Sequence, residues 1–166
     1  VRHSFSRAGF SEDTIRALYL VGSGPKQKEI FLNELETQRE MAFITMHGEP
    51  DTILINNQAI FGSDIKASRA LFTHLSTCSG GTFSEENYVA GRMLFHGSLA
   101  VLAPDQVVFG FPIRLYEGFM NDLRLGMTLG DVAVGKYGYS PAPASMMFGD
   151  PTLRIREGRD VLRPPL

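Results

Sequence analysis

The sequence predicts an α/β fold built on a mainly parallel β-sheet. Its 166 residues and 43% hydrophobic content are enough for one full core, so length favours a single domain. The apolar runs 41–46 and 98–103 are nearly uninterrupted, which is typical of strands buried on both faces of a parallel sheet. Segments with helical spacing alternate with the predicted strands, as they do in parallel α/β proteins.

The first predicted unit is a strand, a turn and a helix. Residues 15–21 are apolar and β-branched enough for a strand, and the glycines and proline of residues 22–25 end it. Residues 26–40 follow as an amphipathic helix. We expect residues 1–14 to be a lead-in from a preceding segment, residues 15–156 to be the domain, and residues 157–166 to be a tail.

The second unit begins with the strand at 41–46, which ends at His47 and Gly48. Residues 52–61 resemble a hairpin that turns at Asn56 and Asn57. A helix is predicted for residues 64–73, and a strand for residues 75–78.

The remaining elements continue the alternation. A helix runs from Ser84 to about His96, and the strand at 98–103 is broken by Pro104. Two helices are predicted at 113–125 and 128–137. A turn at Asp150, followed by a short strand to residue 155, closes the domain.

Composition excludes several classes of function. The net charge of −2, without a long run of Lys or Arg, argues against a nucleic-acid groove. Apolar runs stay far below the roughly 20 residues of a membrane span. HxxxH and CxxC spacings are absent, so we expect no metal and no cofactor.

The glycine-rich segment 22–26 has an alternative reading as a phosphate loop, since it joins a strand to a helix. It lacks both the Walker ending and the three-glycine Rossmann pattern, and Pro25 removes an N–H donor. A plain turn is favoured. A nucleotide-binding, flavodoxin-like domain is the alternative function that this segment leaves open.

Cys78 is the only cysteine of the chain, so it is either a buried small hydrophobe or a functional thiol. A functional thiol needs a nearby base, which is most often a histidine. His47 ends one strand and Cys78 ends another, so both would emerge at one sheet edge if those strands are parallel neighbours. His96 follows a helix, and His74 is about 13 Å from Cys78 along an extended strand, so neither is the expected base.

Three elements together resemble the catalytic core of the caspase-like superfamily of cysteine peptidases, in particular its gingipain-type and CHAT-type members. They are the strand ending at His47 and Gly48, the strand ending at Cys78 before Gly80 and Gly81, and the closing segment 148–153. The first two elements are separated by the 31 residues from His47 to Cys78. The resemblance implies a three-layer αβα sandwich.

The resemblance also implies roles for these residues. Cys78 would be the nucleophile, His47 the acid/base, and the backbone N–H groups of Gly48 and Cys78 the oxyanion donors. No third catalytic residue is assigned, although Glu49 and Asp51 lie nearby in sequence.

The substrate pocket implied by the resemblance includes Ser76, Thr77 and the turn at 103–106. There Asp105 would select a basic side chain, and a solvated turn aspartate is the alternative.

The expected function is therefore hydrolysis of a protein or peptide substrate through an acyl-enzyme. We also expect upstream domains in the same polypeptide. The compartment would be extracellular for a gingipain-type protein and cytoplasmic for a CHAT-type one. The alternative is a catalytically inactive relative that uses the same scaffold for binding or assembly.

Overall fold

The computed structural model describes residues 26–56, 58–107, 113–137 and 145–155. The side chains of residues 113–116 and 136–137 are outside this description. The lead-in, the first predicted strand, the glycine-rich turn at 22–25 and the tail also lie outside the described residues.

The main sheet, within the described residues, contains four strands: β1 (Arg39–Thr45), β5 (Ala70–Ser76), β6 (Ala100–Pro104) and β7 (Ser145–Gly149). They lie in that order across the sheet. β1, β5 and β6 are parallel, and β7 is antiparallel to β6. The predicted mainly parallel sheet is therefore confirmed.

A small antiparallel sheet directly follows β1 in the chain. Its strands are β2 (His47–Glu49), β3 (Thr52–Ile55) and β4 (Gln58–Phe61). β3 and β4 form the predicted hairpin, in which Asn56 has a positive φ of 45°. Asparagine tolerates this left-handed conformation better than most residues. The three-residue strand β2 was not predicted from the sequence.

Four α-helices cover the described part of the main sheet: α1 (Gln27–Leu35), α2 (Val89–Phe95), α3 (Ile113–Arg124) and α4 (Leu129–Tyr137). Alternate residues of β6 belong to two separate cores. Val101 and Ala103 pack in the core that contains residues of α1 and α2, whereas Ala100 and Leu102 pack with residues of α3 and α4. This alternation across a sheet buried on both faces produces the predicted three-layer sandwich.

The predicted helix at 64–73 is wrong. A 3₁₀ helix occupies Gly62–Asp64, and β5 begins at Ala70, so the predicted strand at 75–78 covers only the end of β5. Short apolar segments do not distinguish helix from strand by spacing alone. Phe72 is fully buried between neighbouring strands and α3, and these long-range contacts select the strand.

Element boundaries differ at other places as well. β6 runs from Ala100 to Pro104, so Pro104 is the last residue of this strand rather than the residue that breaks it. α1 ends at Leu35, and Arg39 and Glu40 belong to β1 rather than to the helix. α2 begins only at Val89, after turns that occupy much of the predicted helix.

The last strand, β7, precedes the turn at Asp150 instead of following it. Asp150 Oδ1 accepts hydrogen bonds from the side chain and backbone of Thr152, which hold the pKa of Asp150 below its usual value. The predicted turn at Asp150 is therefore present.

Candidate functional site

The parallel pairing of β1 and β5 fixes the positions of His47 and Cys78. Thr45, the last residue of β1, is paired with Ser76, the last residue of β5. The backbone N–H of Met46 also donates to the carbonyl oxygen of Ser76 at 3.3 Å. His47 and Cys78 each lie two residues beyond the Thr45–Ser76 pair. Both therefore leave the main sheet at its carboxyl edge, because β1 and β5 are the parallel neighbours that this arrangement requires.

Gly48 and Thr77 are in direct contact at this edge. A Cβ atom on Gly48 would lie 3.1 Å from Thr77 Cβ and 2.6 Å from the carbonyl oxygen of Thr52. Neither neighbour leaves room for a side chain, so this position requires glycine. Gly48, directly after His47, and Thr77, directly before Cys78, thus bring the two segments together.

The turn that carries Cys78 is attached to the end of β6. The backbone N–H of Ser79 donates to the carbonyl oxygen of Gln106 at 3.0 Å, and that of Gly81 to Pro104 at 2.7 Å. Thr82 Oγ1 donates to the carbonyl oxygen of Asp105 at 3.1 Å. These bonds hold the half-buried Cys78 on a turn that is attached to the ends of both β5 and β6.

Glycine is also required in the turn itself. A Cβ atom on Gly80 would clash with Thr77 Oγ1. Ser79 has a positive φ of 53°, which lets the chain reverse directly after Cys78. The Gly80–Gly81 pair that follows Cys78 therefore has a packing role.

The two predicted dyad residues differ in exposure. His47 is exposed and begins β2, where it is paired with Leu54 of β3. Cys78 is half-buried. Glu49 and Asp51 are exposed, and Asp51 accepts a hydrogen bond from the hydroxyl of its neighbour Thr52.

The predicted pocket residues Ser76 and Thr77 are both buried. Thr77 Oγ1 has no hydrogen-bond partner among the described residues. Their proposed contacts with substrate stay a prediction.

Asp105 follows Pro104 at the end of β6 and is half-buried. Its Oδ1 is buried without a hydrogen-bond partner in the part of the chain that the structure describes. The same is true of the hydroxyl of Ser145, which is paired with Pro104 in the sheet. Ser145 was missed because only the unpredicted register of β7 brings it to this edge.

No protein-family model matches the sequence, and no curated protein matches it either. Among solved structures, the chain is similar to the Arg-specific cysteine proteinase gingipain R, with a TM-score of 0.61 and 16% identity. It is also similar to the complex of the pro- and mature domains of Porphyromonas gingivalis RgpB, with a TM-score of 0.62 and 18% identity. The chain has the caspase-like fold.

The similarity covers 78% and 82% of this chain in the two comparisons. It covers only 36% and 38% of the gingipain chains, so this chain spans less than two fifths of their length. The gingipain-type resemblance inferred from the sequence is confirmed for the fold.

Two other described histidines have structural positions in this caspase-like fold. His74 is fully buried in β5, where it stacks on Phe43 at 5.5 Å and lies 5.9 Å from the ring of Phe119. Burial lowers the pKa of His74 to about 3, so its imidazole is neutral at ordinary pH. His96 ends α2, as predicted.

Metal binding and membrane insertion have no structural support within the described residues. They contain no group of three or more His, Cys, Asp or Glu side chains that could hold a metal ion. None of the described helices combines the length and apolar character needed to cross a bilayer.

Proposed function

We propose that this chain is a cysteine endopeptidase domain in which Cys78 and His47 form the catalytic dyad. The observation that carries the proposal is the Thr45–Ser76 pairing, which brings the two residues to one edge of a caspase-like fold. The contact between Gly48 and Thr77 supports it further. A thiol and an imidazole at one sheet edge are suited to nucleophilic attack on a carbonyl group.

In the first step, the Cys78 thiolate attacks the carbonyl carbon of the scissile peptide bond. The carbon–nitrogen bond then breaks, and the protonated imidazole of His47 gives its proton to the leaving amine. The product of this step is a thioester between the substrate and Cys78. In the second step, His47 takes a proton from water, and the water oxygen attacks the thioester. The carbon–sulfur bond breaks, which releases the acid and restores the Cys78 thiolate and the protonated imidazole of His47.

The backbone N–H groups of Gly48 and Cys78 would stabilise the negative oxygen that forms in each attack. Fixed donors are effective here because they need no reorganisation as charge develops. Gly48 is held against Thr77, and the turn after Cys78 is bonded to β6, so both donors belong to constrained backbone.

Asp105 would select a basic side chain before the cut. Asp105 is half-buried, so part of its side chain is open to a substrate, and a substrate cation would form a charge-assisted hydrogen bond with its carboxylate. The turn that contains Asp105 is hydrogen-bonded to the Cys78 turn, which keeps the carboxylate near the proposed nucleophile. One structural neighbour is itself described as Arg-specific.

The test is cleavage of a diverse peptide library under reducing conditions, with every new terminus identified by mass spectrometry. Wild type and Cys78→Ala are compared. Cleavage by the wild type alone, mainly after Arg or Lys, is the expected result. Binding of peptides without cleavage by either protein would favour the inactive relative used for binding or assembly.

A further inference from the structure

The outer face of the small sheet extends directly from His47. The antiparallel register places His47 opposite Leu54 and Leu54 opposite Ala59, in one row across β2, β3 and β4. Phe61, opposite Thr52, lies in the next row of the same face. We define the outer face by Leu54, Ala59 and Phe61.

Exposure separates this face from the one that packs on the core. Leu54 is 41% exposed and Phe61 is 49% exposed, whereas Ile53 and Ile60 on the inner face are fully buried. Ala59 is half-buried. Side chains directly opposite in an antiparallel pair have Cβ atoms about 4.5–5.5 Å apart, so Leu54 is an immediate neighbour of the His47 imidazole.

We infer that the outer face is a binding site for the part of a peptide substrate that follows the cut, and that it takes an apolar side chain. The inference rests on the proposed function, because it is the acid/base role of His47 that places the leaving amine beside it. The chain beyond that amine must then pass His47. The next exposed surface across the sheet is Leu54, followed by Ala59 and Phe61.

The chemistry of the face selects the occupant. Its row next to His47 is apolar, and an apolar substrate side chain would remove Leu54 from water. The charged residue of the neighbouring row is Glu49, which is exposed and opposite Thr52. An acidic substrate residue would meet this like charge, so Leu or Phe after the cut is expected to be preferred over Asp.

The experiment compares wild type with Leu54→Ser on two kinds of substrate that share the residues before the cut. The first kind is a quenched fluorescent peptide with Leu, Phe, Ser or Asp after the cut. The second is a coumarin amide, which has no residue after the cut. Leu54→Ser is expected to lower kcat/KM for the Leu and Phe peptides by about 10-fold, the loss typical of a weakened hydrophobic pocket. Cleavage of the coumarin amide should fall much less, because this substrate has no residue after the cut that could contact the outer face. An equal loss on the coumarin amide would mean that Leu54 acts only through His47, which would overturn the subsite.

Two variants control for indirect effects. Leu54→Met keeps an apolar side chain and should retain the preference for Leu and Phe. Leu125→Ser makes the same change at another exposed leucine, directly after α3, and should leave the preference unaltered. Thermal unfolding of each variant establishes that it is folded.

The outcomes separate the two proposals. Cleavage by Leu54→Ser with wild-type preference would overturn the subsite and leave the peptidase standing. If Leu54→Ser changes the protein from dimer to monomer but keeps the preference for Leu and Phe, the subsite is also overturned. The outer face would then be a contact between two copies of this chain. Absence of cleavage of every peptide and amide by the wild type would overturn the proposed function and the subsite with it.

Discussion

Gly48 and Thr77 pack against each other so closely that a methyl group on Gly48 would lie 3.1 Å from Thr77 Cβ. Gly48 belongs to the small sheet, and Thr77 lies at the start of the turn after β5. Their contact therefore joins the segment that carries His47 to the segment that carries Cys78. The geometry of the candidate site depends on this contact as well as on the strand pairing below it.

Gly48→Ala is expected to lower the free energy of unfolding by about 1–3 kcal/mol, the usual cost of overpacking a close contact. It should also impair cleavage, because the added methyl group must displace Thr52 or Thr77. Gly135→Ala is the control: Gly135 lies in α4 with open space around it, and alanine there should stabilise by up to about 1 kcal/mol. Urea unfolding measures the change in the free energy of unfolding for both variants. The same change in Gly48→Ala as in Gly135→Ala would refute the close contact.

Thr77→Val should stabilise the protein. The Thr77 hydroxyl is fully buried and has no partner among the described residues, so replacing it with a methyl group removes a desolvated polar atom. The matched change is Thr73→Val in β5, where the equally buried hydroxyl bonds Ser98 Oγ at 3.3 Å. That variant should lose about 1 kcal/mol. A similar loss in Thr77→Val would mean that the Thr77 hydroxyl has a partner after all.

Stability should depend on pH through His74. Its pKa is lowered by burial from 6.5 to about 3, so below pH 6.5 the unfolded chain binds a proton that the folded chain does not. Stability is then unaffected by His74 above pH 6.5 and falls as the pH drops toward 3. His74→Leu should flatten this fall, which chemical unfolding at a series of pH values would measure. The control is His96→Gln at the end of α2, which should still lose stability toward low pH as the wild type does. The same loss in His74→Leu would contradict the assignment to His74.

Asp105→Asn should reduce kcat/KM for peptides with Arg or Lys before the cut by at least about 10-fold, because a charge-assisted contact is lost. Peptides with an uncharged residue at that position should be affected much less. Asp150→Asn is the matched control, since Asp150 lies in an exposed turn beside Gly149, at the opposite end of β6. An equal loss on charged and uncharged substrates would show that Asp105 has only a structural role.

The sequence was informative where local chemistry determines structure. The apolar run that became β1 ends at a His-Gly pair, and the only cysteine follows the next parallel strand, so the sheet edge that holds both was predictable. The hairpin at Asn56 and the helices α3 and α4 were also predicted, because their turn residues and spacing are local signals.

Features that depend on distant contacts could not be predicted in the same way. The apolar residues in the first half of β5 are spaced in a way that also fits a helix. Only the burial of Phe72, between β1 and β6, selects the extended form. β2 is three residues long and exists through its pairing with β3. Ser145 reaches the candidate site through the antiparallel register of β7, for which the sequence has no local signal.

The most direct test of the dyad is kcat/KM for one cleaved peptide, measured for wild type, Cys78→Ala, His47→Ala and the double variant. Each single change should lower kcat/KM by about 1,000-fold or more, and the double variant should be no worse, because the two residues act as one unit. His96→Ala should retain wild-type activity. Activity within a few-fold of wild type in either Cys78→Ala or His47→Ala would contradict the assignment of the catalytic dyad.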